Sequence, residues 1–483
     1  MKRLLLCLCA VLPAWVGAQS PIPAASAASA SASPTMISFM SDLTSVRGIV
    51  TERLPNGMQV IIKADHRAPT AVHMVWVRVG SIDEVDGKSG IAHVLEHMLF
   101  KGTETLAPGE FSRRVAALGG RENAFTSKDY TGYFQMIPAR RVPDVMRLEA
   151  DRFAHNRWSD DEFVKEIEVI KEERRLRTDD VPRAALQEQL AAVQFSASPY
   201  RRPIIGWMND LDHLRPSEVR DFYRQWYVPA NATVVVVGDV DPPQVLQWAR
   251  DIYGAIPAAV VPERKPREEP VQQGIRRLQF KAPAEQSYLI MSWKVPGLKT
   301  LQPGDQTTDA LALTVLSALL DGYSGARLDR RLTQGPDRVA DSAGSYHSLN
   351  GRGPNVFVLE GVPAPGKTVE QLEQALRAEL ERVAREGVTP AELQRVKAQW
   401  TAAQVYGRDS LFNQAREIGT WWVTGLPLDT SDRLIGMLQS ITVAQVQEVA
   451  RKYFVDDQLT LAQLLPQPMA SSTARRPSVN IRH

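Results

Sequence analysis

The chain has 483 residues, 44% hydrophobic and 23% charged, and its 57 basic and 55 acidic side chains leave a formal net charge of +2. That length exceeds what one core ordinarily organises, so at least two domains are expected, and the composition is that of a water-soluble globular protein. A near-neutral balance without a basic stripe gives no reason to invoke nucleic acid or an anionic membrane as a partner.

Lys2 and Arg3 precede an apolar run from Leu4 to Val16, and Val16-Gly17-Ala18 puts small residues where a signal peptidase cuts. Residues 1–18 therefore read as an export signal, because the run is shorter than the ~20 residues a spanning helix needs. The expected compartment is a bacterial periplasm, with secretion as the alternative. Both cysteines, Cys7 and Cys9, fall inside that signal. The remaining chain has no thiolate to offer, and any transition-metal site must be built from His, Asp and Glu.

Residues 19–46 are rich in Ala, Ser and Pro and read as a flexible leader. A first lobe is expected over 47–260. It opens on the turn Leu54-Pro55-Asn56-Gly57, followed by strands at Met58–Ile62 and Ala71–Val79. Ser89 to Gly102 predicts a short helix with Ser89 as N-cap and Gly102 closing it. The β-branched run Ala232–Gly238 predicts a buried strand. Residues 261–275 lie in a Pro/Glu/Arg/Lys stretch without apolar period and read as a linker. The pattern then restarts over 276–466: a strand at Ser287–Trp293, a helix at Thr307–Leu320, a strand at Asn355–Leu359, then helices at Val369–Glu386 and Pro390–Tyr406. Two α+β halves of similar length point to a duplicated domain without a residue-level repeat, and 467–483 reads as a disordered tail.

The chemistry concentrates in the short helix. At 100° per residue, His93 and His97 stand one turn apart on one face with Glu96 beside them. That arrangement lets two imidazoles grip one Zn²⁺ while a carboxylate reaches the water it activates. The chain has only 8 histidines, so two of them around a glutamate are not easily read as ordinary core residues. A third ligand is expected from the charged helix that contains Phe163, Ile167 and Ile170 on its buried stripe. Glu168 and Glu172 project away from that stripe, whereas Glu166 and Glu173 fall along one edge of it. Helical angle alone leaves those two open.

Three segments, "GIAHVLEHMLFKGT", "GGRENAFTSKDYTGYF" and "VIKEERRLRTDDVP", resemble in order and spacing the pitrilysin family of zinc peptidases, which includes insulin-degrading enzyme and the mitochondrial processing peptidase. The resemblance implies two homologous α/β-sandwich lobes enclosing a chamber, one Zn²⁺ on His93, His97 and Glu173, and Glu166 as a supporting residue. It implies that Asn123, Ala124 and Phe125 lie on a strand where an extended substrate adds its own backbone. One departure stands out. Single-chain members carry an arginine and a tyrosine seven positions apart in the second lobe, and the aligned positions here are Thr333 and Ala340.

The expected activity is therefore that of a zinc endopeptidase acting on peptides or unfolded segments with Glu96 as general base. The missing pair suggests the zinc-bearing member of a two-subunit enzyme with a homologous, zinc-free partner, or otherwise a homodimer. Two other readings compete: a non-catalytic scaffold subunit of the same family, and a zinc-binding protein without hydrolysis.

Overall fold

The computed structural model describes residues 44–46 and 48–469. The expected signal, nearly all of the leader, and the tail beyond residue 469 lie outside the described residues. Thr44–Val46 was expected inside the leader but forms a strand paired to Ile49–Val50-Thr51. Gln467, expected in the tail, is the last residue of a strand. In both places backbone pairing with a neighbouring strand holds a segment whose side chains give little signal.

The first half runs β1 (Thr44–Val46), β2 (Ile49–Arg53), β3 (Gln59–Ala64), β4 (Thr70–Val77), α1 (Ile91–Met98), α2 (Glu110–Ala117), β5 (Arg121–Thr126) and β6 (Thr131–Pro138). It continues through α3 (Val142–Ala154), α4 (Asp160–Arg174), α5 (Pro182–Gln194), α6 (Met208–His213), α7 (Pro216–Trp226), β7 (Ala232–Gly238) and α8 (Pro242–Ile252). The second half runs β8 (Arg276–Pro283), β9 (Tyr288–Val295), α9 (Asp305–Asp321), β10 (Ala340–His347), β11 (Asn355–Pro363) and α10 (Val369–Glu386). It ends with α11 (Pro390–Gly407), α12 (Leu411–Thr424), α13 (Thr430–Ser440), α14 (Val443–Tyr453) and β12 (Leu459–Gln467). No helix among the described residues is long and apolar enough to cross a membrane.

The α+β class and the duplication are visible in the strand order. The first sheet reads β1-β2-β3-β7-β4-β6-β5 and the second β10-β11-β9-β12-β8. Read from its β5 edge, the first sheet's order β5-β6-β4-β7-β3 matches β10-β11-β9-β12-β8 strand for strand. The sense of pairing matches too, since β3 with β7 and β8 with β12 are the parallel pairs. The run Ala232–Gly238 is buried at every position because β7 lies between β3 and β4, covered on both faces.

Residues 261–275 carry no helix or strand, yet the stretch is held in place. The Glu269 carboxylate accepts hydrogen bonds from the backbone amides of Ser196, Ala197 and Ser198 at 2.8, 2.9 and 2.8 Å, and Arg264 pairs with Asp83 at 2.7 Å. Moreover, the segment separates the two sheets but not their covering layers. Helix α5 of the first half puts Leu186 and Leu190 against Tyr288, Ile290, Ala462 and Leu464 of the second sheet. Helix α12 of the second half puts Ala415, Ile418 and Val423 against Met74, Trp76, Val235 and Val237 of the first. Gly419 makes this possible, since a Cβ there would lie 2.0 Å from the Trp76 indole. A boundary drawn at the linker alone therefore cuts through two shared cores.

Candidate metal centre

Helix α1 begins at Gly90, whose φ of 87° suits glycine. Ser89, expected as the cap, does something else: its hydroxyl donates to Asp210 at 2.6 Å and accepts from the Trp207 amide at 2.9 Å. The capping acceptor is the buried Glu84 carboxylate, which takes the amide protons of Gly90 and Ala92, each at 3.0 Å. Burial lifts the Glu84 carboxyl to about 8 against those two bonds and the charge of Arg202. Every residue of α1 is buried, so the helix has no solvent face. It ends at Met98, before the expected Gly102, which has a φ of 117° in the turn that follows.

Helix α4 is started by Ser159, whose hydroxyl accepts from the Glu162 amide at 3.2 Å. Its acidic first turn complements the helix dipole. Glu166 and Glu173 are buried and Glu168 is exposed, as the helical angles require. Beyond Arg174 the helix widens into a π-helical turn, Arg175–Asp179.

These two helices bring the predicted ligands together. One ligand atom each from His93, His97 and Glu173 lies within 4.8 Å of the others, and this is the one such group among the described residues. Glu173 Oε2 is 3.4 Å from His97 Nε2 and 3.8 Å from His93 Nε2. Ligands around a tetrahedral zinc stand about 3.4 Å apart, so the donors are already near that spacing. Neither Glu173 oxygen makes a hydrogen bond of regular geometry; Oε1 is ion-paired with Arg177, while Oε2 faces the two imidazoles. A buried carboxylate oxygen such as Oε2, set against imidazole nitrogens alone, is costly unless a second cation reaches it. The donor set of two imidazoles and one carboxylate fits zinc with a position to spare.

Glu166 accepts a 2.8 Å hydrogen bond from His97 Nδ1–H, which turns Nε2 toward the other ligands. Its second oxygen is paired with Lys101. Burial pulls the His97 imidazole down, but the Glu166 and Glu173 carboxylates overcome it and lift it to about 9. Glu173 is raised by burial and lowered more strongly by His97, His93 and Arg177, ending at about 2. Glu96 lies beside the ligands, 3% exposed, and its Oε2 accepts a 2.5 Å hydrogen bond from the Thr126 hydroxyl. Burial pushes its carboxyl upward against His97, Thr126 and Arg177.

Thr126 ends β5, the outermost strand of the first sheet. Asn123, Ala124 and Phe125 lie on that strand and alternate between its faces. Ala124 shares the face of Thr126. Phe125 packs edge-on to Trp76 at 5.2 Å on the other, and the exposed Asn123 folds its Oδ1 back onto the Ala124 amide at 2.9 Å. Thr126, Lys101, Arg177 and Glu84 were not picked out from the sequence. Lys101 and Arg177 each follow a ligand by four positions, a helical spacing that could have found them.

A buried His-x-x-Glu-His helix completed by a distant glutamate is the site architecture of the inverted-motif zinc peptidases. Residues 59–207 match the insulinase domain of peptidase family M16, and residues 213–400 match the family's inactive domain. The chain is 30% identical over 420 residues to the zinc protease PqqE of Helicobacter pylori, covering 86% of this chain and 92% of that protein. It is 26% identical to the uncharacterized zinc protease YmxG of Bacillus subtilis over 404 residues, 83% and 95% of the two chains. The crystal structure of a protease from Helicobacter pylori superimposes with a TM-score of 0.81 at 29% identity, covering 86% of this chain and 99% of that one. This chain belongs to peptidase family M16, and the pitrilysin-type resemblance read from its motifs holds.

Proposed function

We propose that this chain is a zinc-dependent endopeptidase that hydrolyses peptides or unfolded segments, with Glu96 as general base. The observation that carries the reading is the convergence of His93, His97 and Glu173 beside a buried Glu96 that is tied through Thr126 to an open strand edge. Zinc, when bound, supplies a Lewis acid that polarises the scissile carbonyl and acidifies water. Glu96 then takes a proton from the attacking water and returns it to the leaving amine, work suited to a carboxylate raised by burial. With Oε2 held by Thr126, Oε1 is the oxygen that exchanges the proton. Strand β5 offers its unpaired backbone edge to an extended peptide, with Asn123, Ala124 and Phe125 setting the register. In Glu96→Gln, cleavage should vanish while one equivalent of zinc remains. Residual cleavage would remove Glu96 from the role, and a parent chain that purifies without zinc would favour the scaffold reading.

We further propose that the working enzyme pairs this chain with a homologous zinc-free partner that supplies the arginine and tyrosine lacking here. Thr333 turns its hydroxyl back onto Asp329, donating at 2.9 Å to the backbone carbonyl, and Ala340 is buried, so neither position offers a donor to substrate. A subunit role is supported by the 24% identity, over 431 residues, to a probable mitochondrial-processing peptidase subunit beta of Arabidopsis thaliana. In fold, the chain spans 52% of the longer periplasmic protease PqqL of Escherichia coli, at a TM-score of 0.75 and 19% identity. Assaying the chain with and without a zinc-free homologue decides the matter, since full activity of the lone chain would refute the pairing. Export to the periplasm is proposed from residues 1–18, with cell fractionation as its test.

A further inference from the structure

Glu173 presents its two oxygens to different neighbours. Oε2 faces the imidazoles of His97 and His93 at 3.4 and 3.8 Å. Oε1 lies 2.5 Å from Nη1 of Arg177. The carboxylate is fully buried, whereas the arginine side chain is 55% exposed, so the guanidinium reaches inward from the solvent side. It does so from the π-helical turn Arg175–Asp179 that continues α4. Such turns sacrifice regular helical hydrogen bonding and recur where a helix re-aims a functional side chain.

A carboxylate can ligate a cation through one oxygen or through both, and the choice alters how many coordination positions stay open. An arginine fixed on Oε1 competes for that oxygen and leaves Oε2 to the imidazole side. The arrangement parallels the one at His97, where Glu166 holds Nδ1 and Lys101 holds Glu166. Partners of this kind orient metal ligands and tune their basicity.

We propose that Arg177 is a positioning residue for Glu173, holding Oε1 so that Oε2 alone addresses the metal. The inference rests on the zinc-site reading above. It predicts that Arg177 acts on how tightly the ion is held and on the shape of its coordination.

The test uses the full-length chain and its Arg177→Ala and Arg177→Lys variants. Each is stripped with a chelator and titrated with Zn²⁺ against a competing chelating dye, and separately with Co²⁺ followed by visible absorption. The variants should fold, as a cooperative melt shows, and still take one equivalent of metal. Arg177→Ala should bind zinc roughly 10- to 100-fold more weakly, and its cobalt bands should weaken and shift as the carboxylate becomes free to ligate through both oxygens. Lysine, which keeps the charge but not the planar fork, should recover part of the affinity. Unchanged or tighter zinc binding in Arg177→Ala, or an unaltered cobalt spectrum, overturns the proposal. A parent chain that binds no metal overturns the zinc-site reading instead.

Discussion

The hydroxyl of Thr126 donates a 2.5 Å hydrogen bond to Glu96 Oε2, joining the edge strand to the carboxylate on the metal-facing helix. A hydrogen bond to a charged group is worth about 1.5–3 kcal/mol, so Thr126→Val should lower kcat/KM by roughly 10- to 100-fold, and Thr126→Ser should retain most activity. The bond stabilises the ionised form and holds the Glu96 carboxyl down. Its loss should therefore move the acidic limb of the kcat/KM profile to higher pH. A fall in rate without that displacement would argue that Thr126 acts only on strand position.

Glu166 fixes the tautomer and orientation of His97 and is itself held by Lys101. Glu166→Gln should weaken zinc binding about 10- to 100-fold in a chelator competition titration. Lys101→Met should produce a smaller loss in the same direction, because it acts one contact further out. Equal affinity in all three proteins would show that His97 needs no orientation from α4.

Gly419 lies against the indole of Trp76 with no room for a side chain. Gly419→Ala must separate α12 from the first sheet, and overpacking of this kind costs about 1–3 kcal/mol or more. The expected result is a lower melting temperature and a lower urea midpoint at unchanged zinc stoichiometry. An unperturbed midpoint would mean that the α12 layer adjusts freely.

His347 is buried, receives or gives a 3.0 Å hydrogen bond with the Thr314 hydroxyl, and is pushed by burial to about 4 from an ordinary 6.5. With a depressed folded pKa, its contribution is fully present above 6.5 and is lost as pH falls toward 4. The change amounts to about 3 kcal/mol across that window. His347→Gln should flatten the dependence of the urea midpoint on pH between 7 and 5 relative to the parent. Parallel slopes in the two proteins would place the titration elsewhere.

Much of this was legible because the signals are local. Ala232–Gly238 is a strand with the predicted ends, and the helices at Val369–Glu386 and Pro390–Tyr406 have their expected starts. The convergence of His93, His97 and Glu173 was legible because helical periodicity places His93 with His97 and confines the third candidate to Glu166 or Glu173. The start of α1 was misread because an acid outside the helix, Glu84, does the capping that the residue at the helix's own N-terminus ordinarily does. Thr126 was missed because nothing in a strand's own pattern says which helix it faces. The exchange of α5 and α12 was also invisible, since an amphipathic helix carries the same apolar stripe whichever sheet it covers.

That exchange makes the two halves one folding unit. A chain ending at residue 260 would leave Leu186 and Leu190 facing water and the Trp76 side of the first sheet bare. The half that carries His93, His97 and Glu173 is then not a portable module, and a proteolytic cut in the connecting segment should leave two fragments that stay associated until both melt. The second half thus serves as the first half's solvent barrier, a constraint that would keep it in the chain even if it never touched a substrate.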